Sequence, residues 1–167
     1  PLPRLGVGIV LRRLCVADLP AFQAYRTDVE LGRYQGWSAM TDSKARAFLD
    51  EVNKAPLFCP GHWAQIAIGE PQTLVLLGDI GLYLAADSRH AEIGFTLARH
   101  AQGRGLATAA VREAVRLIFS STAVEHVLGV TDARNHASIA LLERVGMHRS
   151  KERTVEFRGE ECVEYVY

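Results

Sequence analysis

Gln102-Gly103-Arg104-Gly105-Leu106-Ala107 separates a stretch that reads as a strand from one that reads as a helix. Ahead of it, Ala91-Glu92-Ile93-Gly94-Phe95-Thr96-Leu97 is short, mostly apolar and reads as a strand. After it, Leu106, Ala110, Val111, Ala114, Val115 and Ile118 recur at helical spacing, with Arg112, Glu113 and Arg116 on the other side. A strand, a glycine-rich turn and a helix start present unpaired backbone N–H groups and the positive end of a helix dipole, which suits a phosphate. Glycines at 103 and 105 let the backbone approach an anion with no Cβ in the way.

Spacing narrows the ligand. A P-loop ends in Gly-Lys-Ser/Thr, and no lysine lies between Lys54 and Lys151. The dinucleotide pattern G-x-G-x-x-G needs a third glycine where Thr108 stands. Taken alone, the turn is also compatible with a structural role and no ligand.

The rest of the chain sets the frame. Its 167 residues are enough for one domain with one substantial core. Formal net charge is zero, so the balance gives no argument for nucleic acid or an acidic membrane surface. Three widely spaced cysteines, Cys15, Cys59 and Cys162, form no Cys-x-x-Cys pair and read as free thiols in a reducing compartment. None of the six histidines has metal-site spacing, so no metal is expected, and His136 reads as solvent-facing. No apolar run approaches the ~20 residues of a membrane span, and Pro1-Leu2-Pro3-Arg4 lacks a signal-peptide core. The expectation is a cytoplasmic protein without nucleic-acid or membrane partners.

Along the chain, Gly6 to Leu14 reads as a first strand. Asp18 then offers an N-cap, with Pro20 in the first turn of a helix reaching about Thr27. Thr41 or Asp42 starts a second helix through Val52, and the prolines at 56 and 60 mark a loop from Lys54 to Gly61. His62 to Ile68 and Thr73 to Ala85 read as strands joined at Gly69-Glu70-Pro71-Gln72. His126 to Thr131 is a further strand, Gly146 a helix C-cap, and Arg149 to Tyr167 a closing hairpin about Arg158-Gly159-Glu160. The order β-α-α-β-β-β-α-β-α-β-β indicates a mixed α/β domain spanning 1–167. The strands from His62 to Leu97, with no helix between them, disfavour a doubly wound nucleotide-binding fold.

The run Gln-x-x-Gly-x-Ala at 102–107 resembles the pyrophosphate loop of the GNAT superfamily of acetyl-CoA-dependent N-acetyltransferases. Downstream, Val127 to Thr131, Asp132-Ala133-Arg134-Asn135-His136-Ala137-Ser138 and Ile139 to Met147 are similar to the second half of that core. Asp-x-x-Asn-x-x-Ser, with Leu11-Arg12, Asp18-Leu19-Pro20, Arg33-Tyr34, Gly36-Trp37 and Gly78-Asp79-Ile80-Gly81-Leu82, is similar to the branch holding the ribosomal-protein N-terminal alanine acetyltransferases. The resemblance covers nearly the whole chain and is firmest from Glu92 to Met147. It implies a mostly antiparallel, twisted sheet with flanking helices, in which the Glu92 strand and the strand ending at Thr131 splay apart at the coenzyme A site.

The resemblance also implies roles for particular residues. Backbone groups of Gln102, Gly103, Arg104, Gly105, Leu106 and Ala107 would hold the pyrophosphate, and those of Phe95, Thr96 and Leu97, on a bulged strand, the thioester end. Asn135 would reach the pantetheine arm while capping a helix. Glu92 is the candidate general base: an α-amino group with a pKa near ~8 needs only modest help to lose its proton, a lysine at ~10.4 much more. Many superfamily members protonate the departing sulfur with a tyrosine four residues beyond the Ser138 position. Here that residue is Leu142, which leaves Ser138 or a water it holds. Tyr34, Trp37 and Trp63 are either acceptor-pocket walls or ordinary core. The activity implied is direct transfer from acetyl-CoA to a primary amine, a protein N-terminus or a small molecule, by a monomer or homodimer. The alternative is a non-catalytic acyl-CoA-binding sensor, which would have no use for Glu92 and Ser138.

Overall fold

The computed structural model describes Pro1–Tyr167. Eight strands form one sheet in the order β1-β2-β3-β4-β5-β6-β8-β7. They are β1 (Arg4–Gly6), β2 (Ile9–Arg13), β3 (Trp63–Gly69), β4 (Leu76–Leu84), β5 (His90–Leu97), β6 (His126–Asp132), β7 (Lys151–Phe157) and β8 (Glu160–Val166). All neighbours run antiparallel except β5 and β6. The helices are α1 (Leu19–Arg26), α2 (Val29–Gly32), α3 (Asp42–Lys54), α4 (Leu106–Ser121) and α5 (His136–Arg144).

The two faces of the sheet carry separate cores. On one, Leu106, Ala110, Val111, Ala114, Leu117 and Ile118 of α4 pack on Ile9, Leu11, Ile66, Ile80, Leu82 and Ile93. The spacing of those α4 residues is what turns one face of the helix inward. Each fully buried Leu or Ile contributes about 1.5–3 kcal/mol by removal from water. On the other face, Phe22 and Tyr25 of α1 and Ala45 and Leu49 of α3 pack with Leu14, Ala67 and Leu76.

Local chemistry moves several boundaries from the sequence expectation. The first strand is a two-strand hairpin turning at Val7-Gly8, where Gly8 has φ +73°. Asp18 does not cap α1. Its carboxylate accepts from the Cys15 amide at 2.9 Å and from Arg12 at 2.7 Å, so a 3-10 turn over Val16–Asp18 precedes the helix. The four residues of α2 carry no helical periodicity of their own; Asp28 caps the turn by accepting from the Glu30 and Leu31 amides. β4 begins at Leu76 rather than Thr73 because the Glu70 carboxylate ties down the amides of Gln72 and Thr73 in a turn.

The sheet divides in its middle. β5 and β6 are paired at four positions, His90↔His126 to Ile93↔Gly129, and no further. Beyond that point β6 pairs with β8 from Val130 to Asp132, while β5 continues alongside β4 to Leu97. The pairing of β5 with β4 is regular, so the expected bulge at Phe95–Leu97 is absent; divergence from β6 frees that edge instead.

Candidate active site

Two cavities meet where β5 and β6 part. The first, about 690 Å³, runs along the free edge of β5 to the start of α4 and α5. Backbone groups in an antiparallel pair alternate between the two sides of a strand. Ala98 donates to Leu77 O, so the even-numbered residues of β5 bond β4, and Phe95 and Leu97 turn theirs toward the cleft. Gln35 Nε2 donates to Phe95 O at 3.3 Å and Gln102 Nε2 to Leu97 O at 2.9 Å; the Phe95 and Leu97 amides remain open.

At the far end of this cleft, Gly103 and Gly105 both have φ +74°, the left-handed region that favours glycine. Gly105 is the N-cap of α4, and the first helical bond runs from Ala109 N to Gly105 O. The amides of residues 103–108 therefore donate to nothing in the chain. A Cβ built on either glycine meets no atom within 4 Å. Six unpaired amides at a helix start, with open space before them, form a fitting cradle for a pyrophosphate.

Phe95, Thr96, Leu97, Gln102, Gly103, Gly105, Leu106, Ala107, Asn135 and Ser138 all line this cleft. Arg104 does not; it is exposed and close enough to Glu70 to help lower that carboxyl. Asn135 caps α5, its Oδ1 accepting from Ser138 N at 3.2 Å. Leu142, in the place of the usual tyrosine, is 1 % exposed and fills the space left by the missing side chain of Gly129.

The second cavity, about 500 Å³, lies on the opposite side of the junction. Tyr34, Trp37 and Trp63 line it, with Glu92, Gly94 and Thr96 from β5. A gap of about 40 Å³ joins the two cavities; Gly94 and Phe95 border it on one strand, Ser138 and Asn135 on α5. Ser138 borders this gap and the first cavity, whereas Glu92 lines the second cavity, two residues along β5 from Gly94. Four carboxylates line the second cavity. Asp79 is bound by Arg26, Tyr25 and Gln65, Asp132 by Arg134 at 2.8 Å, and Glu164 by Arg153 at 2.9 Å. Glu92 alone has no partner; burial pushes its carboxyl above the usual range, partly offset by Arg153. A carboxylate that holds a proton more tightly is a stronger base.

The buried base of this cavity was not legible from sequence. Arg26 and Asp79 are 3 % and 1 % exposed, and Arg26 Nη2 donates to both carboxylate oxygens at 2.8 and 2.9 Å. The guanidinium packs against Phe22 and Trp37, 4.8 and 4.5 Å from the ring centres. Trp37 Nε1 donates to Thr96 Oγ1 at 3.2 Å, joining this cluster to β5. An aspartate inside an otherwise apolar strand was the available signal, because a charge buried on both sides demands a counter-charge.

The segment after α2 crosses the junction, and Tyr34 and Gln35 border both cavities and the gap. Arg158, at the tip of the β7–β8 hairpin, donates to Gln35 O at 3.0 Å and Trp37 O at 2.7 Å. Arg134 lies 5.5 Å from the Tyr34 ring centre. Cys162 also lines the second cavity; burial and Asp132 push its thiol up, which disfavours a nucleophilic thiolate there. No group of three or more His, Cys, Asp or Glu is arranged to hold a metal, and no helix is long and apolar enough to cross a membrane.

Comparison with known proteins agrees with this architecture. The chain is 26 % identical over 143 residues to the uncharacterized N-acetyltransferase p20 of Bacillus licheniformis, covering 84 % of this chain and 79 % of that protein. An acetyltransferase of the GNAT family from Bacillus anthracis superposes with a TM-score of 0.87 at 18 % identity, covering 99 % and 96 % of the two chains. Spermidine N-acetyltransferase from Vibrio cholerae, solved with coenzyme A and spermine, gives 0.80 at 16 % identity, covering 96 % and 94 %. RimL, a ribosomal L7/L12 α-N-protein acetyltransferase solved with coenzyme A, gives 0.81 at 14 %, covering 100 % and 97 %. Residues 9–148 match the family model of the acetyltransferase (GNAT) domain, and the chain belongs to the GNAT acetyltransferases.

Proposed function

We propose that residues 1–167 act as one unit that transfers an acetyl group from acetyl-CoA directly to a primary amine, with both substrates bound together. The observation that carries this reading is the meeting of two cavities at the parting of β5 and β6, with open amides along one and an unpartnered carboxylate in the other. The amides of residues 103–108 would hold the pyrophosphate, and the cleft-facing edge of β5 with Asn135 the pantetheine arm. Acetyl-CoA supplies an activated acyl group as a thioester.

Glu92 accepts a proton from the incoming ammonium, through water, so that a neutral amine attacks. The Phe95 and Leu97 amides, which face the cleft, would stabilise negative charge on the acyl oxygen. Ser138, across the gap, donates a proton toward the departing sulfur directly or through water. Holding amine and acyl group in line supplies much of the remainder. The acceptor is a primary amine, of a protein N-terminus or a small molecule; RimL and the spermidine enzyme are one of each kind. Three unpaired thiols suit a reducing, cytoplasmic setting.

The test is release of free thiol from acetyl-CoA across an amine panel, repeated with two variants. Glu92→Gln is expected to lower turnover by ~10²-fold with acetyl-CoA affinity nearly unchanged, the deficit shrinking as pH rises and solvent supplies neutral amine. Ser138→Ala is expected to give a smaller deficit that does not shrink. Equal turnover of wild type and Glu92→Gln between about pH 6 and 9 refutes the base role.

A further inference from the structure

We infer that the acceptor cavity is shaped for a primary amine on an unbranched carbon stem carrying an apolar or aromatic body, in preference to the α-amino group of a polypeptide. This rests on the transferase reading and narrows its acceptor.

Gly94 is the starting observation. Glycine inside a strand weakens it, and the usual reasons to keep one are a left-handed backbone or a close neighbour. Gly94 has neither: its φ is not positive, and a Cβ built on it meets nothing within 4 Å. The fold does not require this glycine. Its missing side chain leaves a slot in the sheet face that opens on both the acceptor cavity and the gap to the cofactor cleft. A strand glycine facing open space at a reaction junction marks close approach by a ligand.

The walls of the slot are mainly aromatic, with the Gln65 side-chain oxygen also beside Gly81. Gly81 is the register partner of Gly94 on β4, and the Trp63 ring lies over it, 3.1 Å from where a Cβ would stand. Thr96, the next residue of β5 on the same face, is capped by the Trp37 indole N–H. Two indoles therefore bracket the position where the nitrogen-bearing carbon must sit. Trp63 is 53 % exposed and stacks on Tyr83 with ring centres 5.4 Å apart, which leaves an aromatic surface at the rim.

The polar groups point the same way. Glu92 is the one lining carboxylate free to meet an ammonium, and it sits two residues from Gly94 on the same face. A polypeptide N-terminus brings a branched α-carbon and an amide immediately behind its amine. That amide would enter between indoles, beside carboxylates already bound to arginines, with the Gln65 side-chain oxygen left to meet its N–H and its carbonyl facing the rings. An arylalkyl stem brings one charge and no unmatched amide.

The probes are phenethylamine, α-methylphenethylamine, which adds one methyl on the nitrogen-bearing carbon, and a tetrapeptide with N-terminal alanine. Thiol release from acetyl-CoA is measured for each, with calorimetric binding of each amine to the protein saturated with coenzyme A. Phenethylamine is expected to exceed the α-methyl analogue and the peptide by about tenfold or more in kcat/KM. Gly94→Ala should raise the phenethylamine KM by about tenfold or more while acetyl-CoA affinity stays within about twofold and the melting temperature does not fall. Preference for the peptide, indifference to the α-methyl group, or an unchanged KM in Gly94→Ala overturns the inference and leaves the transferase reading standing. Binding in the expected order without thiol release supports the shape of the cavity and sinks the transferase reading instead.

Discussion

Gly105→Ala and Gly146→Ala form a matched pair that isolates the contribution of the loop before α4. Both glycines are left-handed, with φ +74° and +97°, and both face open space where a Cβ would go. An L-residue held in that region costs about 1–2 kcal/mol. For a chain of this size each kcal/mol lowers the melting temperature by about 2–4 °C, so both variants should melt about 2–8 °C below wild type. Only Gly105 borders the cofactor cleft; Gly146 follows the C-terminus of α5 and lines none of the three cavities. Acetyl-CoA affinity, read by calorimetry, should therefore fall by about tenfold, or ~1.4 kcal/mol, in Gly105→Ala and stay near wild type in Gly146→Ala. A bulkier probe such as valine would add strain at this φ and confuse the two effects. If the two variants bind acetyl-CoA alike, whether as tightly as wild type or equally weakly, the amides of residues 103–108 are not its anchor.

Two further outcomes follow from burial and packing. Because burial raises the Glu92 carboxyl, the stability linked to it is full below the ordinary carboxylate pKa and is lost as pH rises through the raised value. Glu92→Gln should thus be more stable than wild type at neutral pH, with the difference closing in acid; urea titrations giving a pH-independent difference would contradict this. At the contact of β6 with α5, a Cβ on Gly129 would fall 2.6 Å from Leu142 Cδ2. Gly129→Ala should cost about 1–3 kcal/mol and Leu142→Val about 1 kcal/mol, yet the double variant should cost less than the sum; additivity within about 0.5 kcal/mol would show that the two do not touch.

The parts legible in the sequence are those in which local pattern and tertiary role coincide. The α4 face repeats at helical spacing, and its glycines stand where the backbone turns left-handed. Asn135 reads as an N-cap and is one. Asp18 shows the opposite case, a capping residue by type that is drawn away by Arg12. The Arg26–Asp79 pair joins residues 53 positions apart, and nothing local to either announces it. Likewise Gln35, from the segment after α2, and Glu164, from the β7–β8 hairpin, line one cavity from distant parts of the chain, and Arg158 of that hairpin donates to Gln35 O. Their neighbours in sequence say only that they lie near turns and edges.

The short seam between β5 and β6 has a mechanical consequence. Five strands on one side and three on the other are joined directly through four residue pairs. Such a sheet resembles two blades on a short pivot, joined at His90–Ile93 and parted at Leu97 and Asp132. A small change in twist at His90–Ile93 is magnified at Leu97 and Asp132, the open ends of the blades. The aperture thus depends on the pivot itself, where Glu92 and Ile93 line the second cavity while Ala91 and Val127 line neither. Substitutions at Ala91 or Val127, paired across that pivot, would therefore alter the aperture without changing a residue that lines either cavity.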